Sequence, residues 1–582
     1  MKGEMLDFFD LEINGESKVT SIREATEELV KPGFLIHIGA TNTMSYVFCY
    51  ELSRVFWESK PGFRLVTLGG GINIELLVFG GLVKEVITSY AGHVYPSPAP
   101  SPVIQKSYLD GSVRYENWSL LAICQSLMAG ALDVGFMPTK SIAGSSMEEN
   151  EGFRFVEDPF TGARRGVVRE VKPDISVYHG WCSDREGNTI MFPPSGEGVI
   201  PWGAYASRGG VIVTVERVVE RDFIKRHAHL VRIPGYLVKA VVEAPFGAHP
   251  SALYVPEDMG GGYAEDYDFI VNFRNATENE ESLRKWVEEW VLGVDHEGYL
   301  KKLGFERLFY LVGKAKKDAW RREIKDKERT LSRSEEPLNV ERMILVGARK
   351  IAERCVEKGY RVILAGIGGA NLAAWMATYA LKEKGYHVDL VAEIGFYGYL
   401  PRPANPFVFN IANVPTCKGL LGSMQVLGAI MGKENNRSMG VLGAGQVDKY
   451  GNINSTLIPG VMYLVGSGGA NDVASTAEEV VVLVKHSPLR LVERVTYVTA
   501  PGKNVTMLVT TMGVFEKVDG ELILTEYFSQ KGLGKEETIK RIKAETGWNL
   551  KVSENLREAE DPTLRELMIL RYFDPDKNFL QD

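Results

Sequence analysis

The 582-residue chain reads as an α/β protein built from two similar α/β domains joined by a charged linker. Three observations carry that reading. KPGFLIHIGATNTMSYVFCYEL (31–52) and KGYRVILAGIGGANLAAWMATYAL (358–381) share one order: lysine, glycine, apolar strand, glycine turn, amphipathic helix. CSDREGNTI (182–190) and QVDKYGNIN (446–454) then place D-x-x-G-N before a strand in both halves, and two matches in the same chain order indicate an internal repeat. Between the halves, residues 281–336 pass from an amphipathic helix into the almost wholly charged GKAKKDAWRREIKDKERTLSRSEE, where a domain boundary falls naturally. The expected divisions are 1–315, the linker 316–337, and 338–582.

A chain of this length needs more than one core. Its formal net charge of −8 argues against nucleic acid as a partner. Cys49, Cys124, Cys182, Cys355 and Cys417 include no C-x-x-C pair, so neither a disulfide framework nor a zinc ribbon is indicated. No His/Cys/Asp/Glu group has metal-ligand spacing, and no metal is expected. The N-terminal MKGEMLDFFDLEING is acidic and lacks a signal-like apolar run. No charge-free apolar segment reaches the about 18 residues of a membrane helix. A soluble, cytoplasmic protein with no membrane partner is expected.

In chain order, residues 17–31 are expected to be helical. FLIHIGAT (34–41) is a buried strand, and Met44, Val47, Phe48, Leu52, Val55 and Phe56 then recur at helical spacing, the opening of a βαβ unit. RLVTLGGGIN (64–73) repeats the pattern. Its glycine triplet either turns N–H groups toward an anion or simply lets strand and helix pack closely. YPSPAPSP (95–102) is an extended loop of the kind that borders sites in α/β enzymes. Trp118–Leu132 is a helix, and Glu116 before it is either a carboxylate suited to the helix macrodipole or a site residue. Asp184–Asn188 is a turn between strands, and GGVIVTVERVV (209–219) is a further strand. His249, in a Gly/Pro-bounded loop, is either structural or within reach of a ligand. His37 and His179 lie in apolar strands as core residues.

The second half turns on VDLVAEIGFYGYL (388–400). Val388–Ala392 reads as a buried strand that delivers Glu393 to a turn opened by Gly395 and Gly398. Burial disfavours a charged carboxylate, and glycine lets a ligand or another backbone come close. Glu393 is therefore either a nucleophile or base, or a strand-capping residue that faces solvent. Glycine-rich turns at 366–369, 443–445 and 466–469 expose N–H donors of the kind that receive a developing oxyanion. Together with the carboxylate they point to acyl transfer. The G-x-G-x-x-G, G-x-x-x-x-G-K-[ST] and G-x-S-x-G patterns are absent, against dinucleotide binding, P-loop hydrolysis and serine hydrolysis.

PTKSIAG (138–144), KPDISVYHGWCSDREGN (172–188) and IPGYLVKAVVEAPFGAHPS (233–251) resemble the α subunit of class I CoA-transferases of the glutaconate type. AEIGFYG (392–398), GAGQVDKYGNINST (443–456) and GSGGANDVAS (466–475) resemble the β subunit. The resemblance covers about residues 20–315 and 338–530, so the chain looks like an α–β fusion. It implies the CoA-transferase (NagB-like) fold: two similar open α/β domains with the active site at their interface. It implies transfer of CoA from an acyl-CoA to a carboxylic acid, glutaconate-like or another dicarboxylic or acyl acid, by ping-pong covalent catalysis. Glu393, in E-x-G, matches the nucleophile that forms a mixed anhydride and then a glutamyl-CoA thioester. Gly443, Gly445, Gly468 and Gly469 would bind CoA and the oxyanion, and Gln446 would orient the glutamate. No cofactor is held permanently, since CoA enters as a substrate. The partners are acyl-CoA and acid, and a homo-oligomer is expected by analogy.

The chain departs from many relatives in having Ala392-Glu393-Ile394-Gly395 in place of Ser-Glu-Asn-Gly. It also has Gly39-Ala40-Thr41 where the oxoacid branch has Gly-Gly-Phe, which points away from acetoacetate-type substrates. The runner-up function is an acyl-CoA hydrolase on the same fold, cleaving a thioester or a ring-ketone C–C bond with Glu116 or Glu393 activating water. A non-catalytic acyl-CoA-binding protein is the third. Glu116 and His249 are candidates for the acyl pocket, and Arg114, Lys140, Arg208 and Arg402 for holding a second carboxylate.

Overall fold

The computed structural model describes Phe9 and residues 15–581, and within them one five-stranded parallel unit is used twice. In the first half the unit runs Val238–Glu243, Val211–Val218, Ile175–Ser183, Leu35–Ile38, Phe63–Thr67, each neighbouring pair parallel. In the second it runs Val505–Thr510, Glu479–Val484, Ser438–Gly443, Val362–Ala365, Asp389–Ala392, again parallel throughout. Both runs visit the chain in the same order, so the halves are one topology repeated. Parallel strands are covered on both faces, which makes them unbroken apolar runs. Ile175–Ser183 and Glu479–Val484 are buried along their whole lengths.

Each half extends its unit differently. The first adds Val83–Thr88 and Arg114–Asn117 in parallel beyond Phe63–Thr67. The second adds the short antiparallel strands Phe396–Tyr397 and Gly419–Leu420 beyond Asp389–Ala392. Its opposite edge continues through Gly513–Val518, Glu521–Tyr527 and Val552–Glu558.

The repeat reaches into side-chain hydrogen bonds. Asp184 Oδ1 accepts the N–H groups of Glu186 and Asn188, and its Oδ2 accepts from Asn188 Nδ2 at 2.8 Å. Asp448 makes the same three bonds to Tyr450 and Asn452, each 3.0 Å. The asparagine side-chain carbonyl then accepts the N–H of Gly235 in one half and of Gly502 in the other. Each glycine follows a proline and opens a short 3-10 turn ahead of the outermost strand of the repeated five-stranded unit. This Pro-Gly correspondence extends the repeat beyond the two matches that the sequence displays.

Several expected elements shift at their ends. The helix over 17–31 is Ile22–Leu29, closed by a Ser21–Glu24 capping box. The helix after Glu116 begins at Leu120, capped by Ser119. Glu116 lies in the edge strand Arg114–Asn117, so it is not a helix-start carboxylate. The proline-rich loop ends at Ser101, because Pro102 takes the first position of the helix Pro102–Leu109. The charged stretch after 315 includes the helix Ala319–Lys327 and a short turn, Glu328–Thr330. It reaches the C-terminal helix, where Tyr572 donates to Glu328 Oε1 at 3.0 Å. The expectation for the acidic N-terminus falls outside the described residues, Phe9 and Gly15 apart. Among the described residues, no helix is long and apolar enough to cross a membrane, and no three His, Cys, Asp or Glu are placed to hold a metal.

One of the large apolar clusters is shared by both halves. It runs from Val66, Leu121 and Leu127 to Val426, Leu442 and Val473. Buried polar pins fix its register. Asp472 accepts from Ser141 Oγ at 2.6 Å and from the N–H of Leu121 at 3.1 Å, and Asn471 Oδ1 accepts the N–H of Ile142 at 2.8 Å. Asp472→Ala would strand two buried donors, costing roughly 2–4 kcal/mol. In a chain of this size Tm should fall by about 2–3 °C in calorimetry. An unchanged Tm would remove Asp472 from the interface.

Candidate active site

The strand Asp389–Ala392 ends in the seam between the halves and hands Glu393 to a turn. Gly395 follows at φ +122°, where a Cβ would press on the Leu421 carbonyl, so the turn requires glycine. Ser423 Oγ donates to the Glu393 carbonyl oxygen at 2.8 Å, and the N–H of Gly469 donates to Oε2 at 2.9 Å. Burial pushes the Glu393 carboxyl up from 4.5 to about 7. The Gly469 N–H works against that shift, and the nearby Asp472 adds to it.

Glu393 opens on a cavity of about 200 Å³ walled by both halves. Thr41, Gly69–Gly71, Tyr90 and Tyr95 come from the first, and Ile367, Phe407, Phe409 and Gly468 from the second. The glycine triplet of the first half stands at the end of Phe63–Thr67, the counterpart of the strand that carries Glu393. Gly468 takes its place through its N–H, which donates to the Ser89 carbonyl at 2.9 Å, and its carbonyl, which accepts the N–H of Leu120 at 3.1 Å.

Other expected site residues lie elsewhere. Gly443, Gly445 and Gln446 do not line this cavity. Gln446 does not orient Glu393: its amide donates to the Leu489 carbonyl at 3.1 Å and accepts from Asn454 Nδ2 at 3.0 Å. Glu116 is also off the cavity wall, held by Trp118 Nε1 at 2.9 Å and Arg114 at 3.3 Å. His249 is a buried structural histidine, bonded to Tyr299 OH at 2.5 Å and Asp266 Oδ2 at 2.9 Å. Its neighbours Ser251 and Ala252 reach the cavity instead. None of Arg114, Lys140, Arg208 and Arg402 lines it. Lys140 donates to the Gly432 carbonyl, and Arg402 lies over the Trp320 ring.

The cavity also holds carboxyls that the sequence reading missed. Glu75 and Glu265 face it, each pushed up to about 7 chiefly by burial. Glu75 had a signal, a lone acid inside the apolar helix INIELLVF. Glu265, in a loop, had none. His93 lies beside Glu75, and burial together with the Arg274 charge pulls it down to about 4, so its imidazole is neutral.

Residues 19–244 and 429–534, together more than half of the chain, match the family described as coenzyme A transferase. One subunit of the glutaconate CoA-transferase from Acidaminococcus fermentans is 27% identical over 317 residues, covering 51% of this chain and 94% of that protein. The opposite-type subunit of the 3-oxoadipate CoA-transferase from Pseudomonas knackmussii is 33% identical over 155 residues, covering 23% of this chain and 57% of that protein. An uncharacterised protein from Archaeoglobus fulgidus is 26% identical over 297 residues, 49% of this chain and 62% of its own length. Among solved structures, the thioester complex with CoA of an acyl-CoA transferase from Escherichia coli O157:H7 has the same fold. It superimposes with a TM-score of 0.63 at 17% identity, covering 96% of this chain and 97% of that one. Subunits of both types match the chain, which is a member of the coenzyme A transferase family with the two subunit types fused in one polypeptide.

Proposed function

We propose that the chain moves CoA from an acyl-CoA to a carboxylic acid through a glutamyl-CoA thioester on Glu393. The observation that carries this reading is a strand-end carboxyl in the seam of the two halves, with one oxygen fixed by a backbone N–H and an acyl-sized cavity before it.

The chemistry follows from that fixing. Gly469 holds Oε2, which leaves Oε1 to attack the thioester carbonyl carbon. The C–S bond breaks, CoA leaves as a thiolate, and a mixed anhydride forms. The thiolate then attacks Cδ of Glu393 and expels the original acid as a carboxylate. In that step Oε2 becomes the oxyanion, and the Gly469 N–H already lies on it. An acceptor carboxylate attacks the glutamyl-CoA carbon, expelling thiolate and forming a second anhydride. The thiolate takes the acceptor acyl carbon, and the Glu393 carboxylate is regenerated with no net proton change. A preformed donor needs no reorganisation at the moment of reaction, and binding energy along the CoA chain helps to position the thioester.

Three outcomes test the reading. Mixing the protein with acyl-CoAs and no acceptor should give an adduct of CoA mass on Glu393 that added acid discharges. Glu393→Ala should lower transfer by roughly 10⁴-fold or more and give no adduct. Free CoA released without any adduct would favour hydrolysis instead.

The pH profile is the second outcome. The attacking form is the carboxylate, so kcat/KM should rise about tenfold per pH unit below about 7 and level off above it. The same shift, from 4.5 to about 7, means that the protonated carboxyl favours the fold. That contribution is complete below about pH 4.5 and is lost as pH rises through about 7. A flat rate from pH 5 to 8 would exclude a carboxyl so perturbed.

The third is Gly469→Ala, whose Cβ would overlap Glu393 Oε2. Displacing the carboxylate should cost about 10²-fold in adduct formation. A rate within twofold of wild type would show that the contact does not position the nucleophile.

A further inference from the structure

We propose that the acid handled here is a monocarboxylate with an apolar, ring-sized body that carries a hydroxyl, and that dicarboxylates are excluded. The inference rests on the CoA-transferase reading of Glu393 and specifies what that site accepts.

The body of the cavity is aromatic. Tyr95 and Tyr267 stack with ring centroids 4.0 Å apart, and Phe407 meets both edge-on at 6.2 Å. Phe409 lies edge-on to Phe407 at 5.5 Å, so the wall is built from both halves. A volume of about 200 Å³ exceeds the roughly 150 Å³ of an apolar cavity able to hold benzene.

The charge of the wall decides against a second carboxylate. Among the described residues no lysine or arginine lines it, whereas Glu75, Glu265 and Glu393 all do. Arg274, the cation whose field reaches Glu75, turns its Nη1 to the carbonyls of Tyr95 and Ser97 and is not on the wall. A dicarboxylate would carry its spare charge into a low-dielectric pocket where no lysine or arginine among the described residues stands on the wall to pair it.

Glu75 and His93 define what is accepted instead. Glu75 Oε2 accepts from Ser101 Oγ at 2.6 Å, but Oε1, also buried, makes no hydrogen bond among the described residues. His93 Nδ1 is 3.6 Å from that oxygen. The hydroxyl of Thr277 donates to the Arg274 carbonyl at 2.6 Å, so its contact with His93 Nε2 at 3.3 Å requires the proton on Nε2. Nδ1 is then a bare acceptor. With Glu75 ionised, Oε1 and Nδ1 are two acceptors 3.6 Å apart, and a donor that a ligand places between them would serve both. A hydroxyl supplies one and, when Glu75 is protonated, accepts its proton in turn. An ammonium would serve only the ionised form and would be stripped of water to do so.

The test uses the full-length protein and the rate at which CoA loads onto Glu393, read by intact mass, from 4-hydroxyphenylacetyl-CoA, phenylacetyl-CoA, 4-(aminomethyl)phenylacetyl-CoA, glutaryl-CoA and acetyl-CoA. The hydroxylated thioester should load about tenfold or more faster than phenylacetyl-CoA, as a hydrogen bond to a charged group warrants, and about 100-fold faster than glutaryl-CoA. In Glu75→Gln the ratio of glutaryl to phenylacetyl loading should rise about tenfold, a change that general destabilisation would not produce. If that variant does not fold, the wild-type ratios still decide. Glutaryl-CoA loading as fast as the aromatic thioesters, no effect of the hydroxyl, preference for the amine, or loading from acetyl-CoA alone would each overturn the inference and leave the CoA-transferase reading standing. No loading from any thioester would remove both.

Discussion

Seven residues, Gly466 to Asp472, hold the seam and the nucleophile at once. Gly466 lies so close to Ser89 that a side chain there would enter its carbonyl. Gly468 and Gly469 each spend one N–H, on Ser89 and on Glu393, and Asn471 and Asp472 pin the loop at 141–142. Any change that opens the interface therefore moves the donor that fixes Glu393. Stability of the seam and placement of the reacting oxygen are set by the same turn, an arrangement in which one rigid segment serves both ends of the problem.

The repeat explains why so much of the architecture was legible. Parallel strands announce themselves as apolar runs, and the D-x-x-G-N turns carry a fixed hydrogen-bond pattern in their side chains. Glu393 was legible for the same reason: a carboxylate beyond Val388–Ala392 conflicts with its surroundings, and such conflicts mark sites. The glycines were legible only as turns. Gly469 touches the carboxylate, whereas Gly443 and Gly445, equally conspicuous in the sequence, serve another part of the second half.

The acid pocket was not legible, and the reason is physical. Its wall is assembled from Glu75, His93, Glu265 and Phe407, residues that sequence spacing does not connect and that meet only when the sheets are apposed. Gln446 and Glu116 misled in the opposite sense. Polar side chains near a motif are usually consumed locally, as these are by Leu489, Asn454 and Trp118.

The charged segment that joins the halves has an effect on association. A tether of this length presents one half to the other at an effective concentration in the millimolar range, whatever the concentration of the protein itself. The seam therefore does not have to be apolar enough to recruit a separate polypeptide from solution. It can keep buried polar contacts between the halves, such as those of Ser141, Asn471 and Asp472, and the two halves are always present in equal number.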